Sequence, residues 1–123
     1  VDLVEFNLGR LAEERGDSVA AAAHYERTLA FDADNLSAIL DLGNLAARAG
    51  DYAIARARFE RAVALAPDSD DAHANLGGAL LALGDLPAAE RELARALELN
   101  PENRFAQHNL EVLRRRAPAS VAP

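Results

Sequence analysis

Apolar positions along the chain follow a three-and-four spacing that breaks and restarts at regular intervals. Over residues 70–103, Ala72, Leu76, Ala79, Leu80 and Leu83 mark one face of a helix. Gly84 ends it as the left-handed residue past a helix terminus. Asp85 is placed to cap the next helix, and Pro87 suits its first turn. A second stripe follows at Leu86, Ala89, Leu93, Ala96 and Leu97, and Asn100-Pro101 stops it, because the residue before proline leaves helical geometry. The unit is two antiparallel helices joined by a tight turn.

That unit recurs every 34 positions. Leu8, Leu42, Leu76 and Leu110 share a column, followed by Gly9, Gly43 and Gly77. Gly16-Asp17, Gly50-Asp51 and Gly84-Asp85 align, as do Ala21, Ala55 and Ala89, then Tyr25, Phe59 and Leu93. Self-similarity at such a period means stacked copies of one supersecondary unit. Helices are predicted at 2–15, 19–31, 36–49, 52–65, 70–83, 86–99 and 104–116, with Asn35, Ser69 and Asn103 as N-caps. Each is short enough to be marginal alone in water, so stacking must hold it. Mid-helix glycine costs about 1 kcal/mol relative to alanine, and the repeated glycine predicts close helix approach, with Ala89 facing Gly77.

These residues resemble the tetratricopeptide repeat (TPR) family, whose pattern is Leu-Gly, a large residue, Ala-x-x-x-aromatic, then Pro. The third copy reads Leu76-Gly77, Leu80, Ala89-x-x-x-Leu93, Pro101; the second reads Leu42-Gly43, Ala46, Ala55-x-x-x-Phe59, Pro67; the first reads Leu8-Gly9, Ala12, Ala21-x-x-x-Tyr25. The resemblance implies an all-α fold, an α-solenoid of antiparallel helix pairs (a TPR superhelix) of about seven helices. It places repeats at 2–35, 36–69 and 70–103 and a capping helix at 104–116, within a domain spanning 1–116. Two departures thin the packing and predict modest stability. Glu5, Ile39 and His73 stand where a large aromatic often opens the first helix, and Ala12 and Ala46 take the place of the large residue after Leu-Gly in the first two copies.

The final helix is expected to turn Phe105, Ala106, Leu110 and Leu113 toward the third repeat and Glu111, Arg114, Arg115 and Arg116 outward, as a polar-backed cap. Residues 117–123, rich in small residues and proline, are expected to be a disordered tail. Val1, Leu3, Val4 and Phe6 crowd the first turns, and Leu3 and Phe6 mark this edge as a contact for an upstream repeat or a second copy, a homo-oligomer.

In TPR arrays partners bind the concave face lined by first helices. On this chain the resemblance implies a groove of Asn7, Arg10, Leu40, Asp41, Asn44, Arg48, Asn75, Gly78, His108 and Asn109, with Phe6, Ala74, Ala82 and Val112 beside them. Amides such as Asn44, Asn75 and Asn109 both donate to and accept from a peptide main chain. The co-chaperone carboxylate clamp of the family is only half present: Asn44 and Asn75 match its asparagines, but Leu40 and Phe105 occupy its lysine columns. With Asp41 in the groove, a partner of basic or polar character with apolar anchors is expected rather than a chaperone tail.

Composition adds exclusions. The 123 residues carry a net charge of −7 and no cysteine. Nine arginines stand against 19 carboxylates through residue 103, a balance of −10, and four arginines against one glutamate after it, +3. An acidic body argues against general nucleic-acid binding, and Arg114-Arg115-Arg116 reads as charge at a helix C-terminus rather than a nucleic-acid patch. No apolar run approaches the roughly 20 residues that span a bilayer, so no membrane insertion is expected. His24, His73 and His108 form no ligand pair, with His73 expected to pack and His24 to lie at the surface, and no nucleophile with a base is identifiable. Asp32-x-Asp34 and Asp68-x-Asp70 lack the glycine and later carboxylate of a calcium loop. The expectation is a non-catalytic protein-interaction module, cytoplasmic, without cofactor or metal, that holds a peptide or helix of another protein. The alternatives are a self-assembling scaffold or the docking arm of a larger enzyme, of which the chain, starting inside a repeat, would be a fragment.

Overall fold

The computed structural model describes residues 2–117; the expected tail beyond Ala117, and Val1, lie outside the described residues. Those residues form seven α-helices: α1 (Asp2–Glu14), α2 (Ser18–Phe31), α3 (Leu36–Arg48), α4 (Tyr52–Leu65), α5 (Asp70–Leu83), α6 (Leu86–Leu99) and α7 (Arg104–Arg116). They pack as hairpins α1–α2, α3–α4 and α5–α6, each leaning on the next through α2 on α3 and α4 on α5, with α7 lying against both α5 and α6.

Local chemistry sets the boundaries. Gly16, Gly50 and Gly84 each take positive φ, 78°, 85° and 86°, which reverses the chain between paired helices where a Cβ would be strained. The carboxamides of Asn35 and Asn103 accept from the backbone N–H of Ala38 at 3.1 Å and of Ala106 at 2.9 Å, and the Ser69 hydroxyl accepts from Ala72 at 3.1 Å. Asp17 caps α2 in the same way at 3.0 Å, whereas Asp51, its counterpart before α4, makes no side-chain cap bond.

The core is a row of interlocked columns. Ala21, Ala55 and Ala89 and their partners Tyr25, Phe59 and Leu93 are almost wholly buried. The conserved-spacing glycines meet the second of these sets rather than the first. A Cβ on Gly77 would lie 2.6 Å from Leu93 Cγ, one on Gly9 would lie 2.5 Å from Tyr25 Cε1, and one on Gly43 would strike the Phe59 ring. The expectation that Ala89 faces Gly77 is therefore corrected. The glycine makes room for the large side chain sixteen residues later, on the return helix, and Ala89 is buried nearby in the same core cluster.

The column opened by Glu5, Ile39 and His73 carries an exchanged polar pair. In the first hairpin Glu5 Oε2 sits 2.8 Å from His24 Nδ1; in the third, His73 Nδ1 sits 2.8 Å from Glu92 Oε1. Both pairs are 19 residues apart with acid and imidazole reversed, and the second hairpin has Ile39 and Arg58 at those places. His73 is buried, as expected for packing, and its Nε2 also reaches the Pro67 carbonyl at 2.7 Å. His24 is not the surface residue expected, since the Glu5 carboxylate draws it into the hairpin seam and leaves it partly buried.

Candidate functional site

One helix from each hairpin, joined by α7, contributes to the groove, and its two halves differ. In the α3–α5–α7 half, Asn44, Asn75, Gly78, Phe105, Asn109 and Arg116 line a cleft of about 300 Å³, with Tyr52 and Phe59 entering from α4. The three asparagines come from three different helices, and the stacking of hairpins converges their carboxamides on one space. Asn109 Nδ2 is buried there and meets no hydrogen-bond partner among the described residues. A buried donor left unpaired costs about 1–3 kcal/mol, and turning the carboxamide toward the cleft would let a ligand carbonyl or carboxylate oxygen relieve that cost.

Gly78, which has no counterpart in the other hairpins, shapes this cleft. A Cβ there would meet Phe105 Cζ at 3.0 Å and Asn109 Nδ2 at 3.4 Å. Phe105 leans across the glycine yet stays 50% exposed, so it belongs to the cleft wall rather than to the packed side of α7. Arg116 also departs from expectation. Instead of pointing outward it turns back to donate from Nη1 to the Leu81 carbonyl at 3.3 Å, an oxygen in the last turn of α5 that also accepts from the Gly84 N–H at 3.0 Å. Sequence carried a signal for it: Arg116 follows Asn109 by two helical turns, on the same face.

The α1–α3 half is occupied by its own charges. Arg10 Nε lies 3.2 Å from Asp41 Oδ2, a close ion pair whose hydrogen-bond alignment is poor, and its guanidinium covers the Phe6 ring at 5.1 Å. Arg48 Nη2 donates to Glu13 Oε2 at 2.8 Å, and the Tyr25 hydroxyl donates to the other Glu13 oxygen. Burial pushes the Asp41 carboxyl above its ordinary value, with Arg10 opposing in part. Burial also pushes Glu13 upward, but the Tyr25 and Arg48 hydrogen bonds outweigh it and hold that carboxyl low. Burial and the bond to Glu13 raise the Tyr25 phenol.

Of the residues expected in the groove, Asn44, Asn75, Gly78 and Asn109 come together. Arg10, Asp41 and Arg48 are drawn into the ion pairs of the other half, because neighbouring first helices bring opposite charges within reach. Leu40 is half-buried against the core, and Asn7 stands exposed on α1 away from the cleft. His108 is placed differently from expectation. It lies with Glu102, Arg104, Gln107 and Glu111 on the other flank of α7, since a helix turns about 100° per residue and Asn109 takes the groove side. Phe6, expected both in the groove and at the edge, packs its ring 5.5 Å from Tyr25 beneath Arg10. Among the described residues no group of three His, Cys, Asp or Glu side chains is gathered to hold a metal, and no helix is long and apolar enough to cross a membrane.

The family model described as tetratricopeptide repeat matches residues 40–104, more than half the chain. The chain belongs to the tetratricopeptide repeat family. Comparison with curated proteins gives no match. Among solved structures, the first TPR of Spaghetti (RPAP3) bound to an HSP90 peptide superposes with a TM-score of 0.88 at 26% identity, covering 94% of this chain and 91% of that one. An O-GlcNAc transferase of Thermobaculum terrenum matches with a TM-score of 0.88 at 31% identity over 96% of this chain, which spans 23% of that protein. MamA matches with a TM-score of 0.86 at 25% identity, over 94% of this chain and 63% of its own. The TPR fold is in general a non-catalytic protein-interaction module, and the expectation of an all-α helical-repeat solenoid holds.

Proposed function

We propose that this TPR domain holds an extended or helical segment of a partner protein in the α3–α5–α7 cleft, with Asn44, Asn75 and Asn109 as its polar anchors. One observation carries the reading. Three carboxamides from three helices line a single cleft, and one of them buries an N–H group that meets no acceptor among the described residues. A peptide main chain supplies the missing acceptors, and Phe105 offers apolar surface for a side chain. The HSP90-peptide complex of the RPAP3 TPR supports segment binding in general. The site itself argues against the same ligand, because Leu40 and Phe105 leave the clamp's lysine columns without charge.

The test is selection of a displayed random dodecapeptide library on the purified chain, followed by titration of the recovered peptides. Each lost hydrogen bond is worth about 0.5–1.5 kcal/mol, so the Asn44→Ala, Asn75→Ala double variant should weaken binding by about five- to 150-fold. Its helical signal and oligomeric state should not change. Equal affinity for both proteins would remove the asparagines from the site.

Exposure on α1 favours a second reading, stacking against another repeat. Leu8 is 38% exposed, whereas its column-mates Leu42 and Leu76 are 7% and 6% exposed under a preceding helix. Val4 and Leu11 extend the same face. Sedimentation of the wild type and Leu8→Glu at high concentration separates the cases: self-association that the glutamate abolishes supports stacking, and a strict wild-type monomer refutes it for this chain alone. The 31% identity to part of a transferase supports a third arrangement, a docking arm of a larger enzyme, which the complete reading frame decides.

A further inference from the structure

Resting on the proposed groove, we infer that the cleft selects a segment carrying an acidic side chain, with Arg116 of the last helix as the specificity-determining residue. Arg116 is the one formally charged side chain among the described residues that line this cleft. Among the described residues one of its five N–H groups is committed, to the Leu81 carbonyl at 3.3 Å, which holds the guanidinium at the cleft and leaves donors directed to a carboxylate. The anchored, planar fork is suited to that partner, since charge-assisted bonds to a carboxylate are about twice as strong as neutral ones.

The rest of the groove does not oppose this sign. The expectation of a basic partner rested on Asp41, yet that carboxylate lies in the other half and faces Arg10 at 3.2 Å. Glu13 is likewise answered by Arg48 at 2.8 Å. Arg114, Arg115 and Arg116 close the last turn of α7 and make this the basic end of the cleft, with Arg115 answered by Glu111. An acidic residue at the Arg116 end, with main-chain oxygens on the asparagines and an apolar residue on Phe105, also fixes the direction of the bound segment. The acid is carried by a side chain, not by a free C-terminus. The cleft's cation comes from the last turn of α7, two helical turns beyond Asn109, and the columns that would grip a terminal carboxylate hold Leu40 and Phe105.

The experiment uses dodecapeptides displayed with both ends blocked by fusion, selected in parallel on the wild type, Arg116→Glu, Arg116→Gln and the Asn44→Ala, Asn75→Ala variant. Circular dichroism checks that each variant is folded. Wild-type selection should enrich Asp or Glu at a fixed offset from an apolar residue. Arg116→Gln should weaken the recovered peptides by about tenfold, with replacement of their acid by its amide costing nothing further, and Arg116→Glu should reverse the preference toward Lys or Arg. Recovered peptides that depend on Asn44 and Asn75 but show no acidic bias, or a basic one, would overturn the role of Arg116 and leave the groove standing. Failure to enrich any peptide, or enrichment indifferent to the asparagines, would overturn the groove and this inference with it.

Discussion

Gly77 and Gly78 are adjacent in the middle of α5, yet alanine at the two positions should act in opposite directions. Each substitution gains about 1 kcal/mol of helix propensity. At Gly77 the new methyl would sit 2.6 Å from Leu93 Cγ, 2.7 Å from Cδ2 and 3.3 Å from the Leu93 backbone nitrogen. Leu93 is wholly buried and has nowhere to retreat. Overpacking of this kind costs about 1–3 kcal/mol, and the two short contacts together with the backbone one put it near the top of that range, leaving a net loss of about 2 kcal/mol. At Gly78 the nearest atom, 3.0 Å away, is the tip of the half-exposed Phe105 ring, which can swing outward. Most of the propensity gain then survives, about 0.5–1 kcal/mol of stabilisation. Urea unfolding followed by far-ultraviolet circular dichroism measures the difference. With a slope of about 2 kcal/mol per molar urea, the Gly77→Ala midpoint should fall by about 1 M while that of Gly78→Ala rises slightly. If both midpoints move together by similar amounts, Leu93 does not fill the notch and the packing argument is wrong. The same pair separates stability from binding, because a methyl at Gly78 crowds Asn109 and Phe105 and should weaken peptide affinity in a more stable protein.

Three further outcomes are expected. Leu93→Ala should cost about 2–5 kcal/mol by the cavity it leaves, and in its background Gly77→Ala should lose most of its penalty, a coupling that thermal melts of the four proteins read directly. Hydrogen bonds from the Asn103 and Asn100 amides hold the Asp70 carboxyl below its ordinary value of 3.8. The stability this adds is fully present above about pH 4 and is lost as pH falls through the lower folded value, so the advantage of wild type over Asp70→Asn should shrink between about pH 4 and pH 2 in urea titrations. Arg10→Met should leave the half-buried Asp41 carboxyl still higher than in wild type, visible as a later midpoint in carboxyl-carbon NMR; an unmoved midpoint would mean that the ion pair contributes nothing.

The architecture was legible because its determinants are local and repeated. Gly-Asp dipeptides, N-cap residues and three-and-four spacing each act within a turn or two, and the helix ends fall within one residue of those read from the pattern. The notch was legible as a glycine column but not as a contact, since nothing in the spacing tells whether Ala89 or Leu93 points at Gly77. The convergence of Asn44, Asn75 and Asn109 on one cleft was legible because a column in a repeat is also a place on a face. Arg10, Asp41 and Arg48 lie on that face too. Their pairing depends on how far one hairpin turns relative to the next, which single-chain spacing does not specify. The place of Arg116 was legible in its two-turn spacing from Asn109, but charge at a helix end has an explanation of its own, and the bend of the side chain onto the Leu81 carbonyl depends on how α7 docks on α5.

The reversed His–Glu pairs bear on how such an array is edited. Exchanging whole hairpins keeps each imidazole opposite a carboxylate. Exchanging only the return helices would set Glu5 against Glu92 and His73 against His24, leaving two like pairs in the seams. Recombination that cuts at the inter-repeat turns is thus tolerated where a cut at Gly16 or Gly84 is penalised, and the hairpin rather than the helix is the heritable brick from which this array is laid.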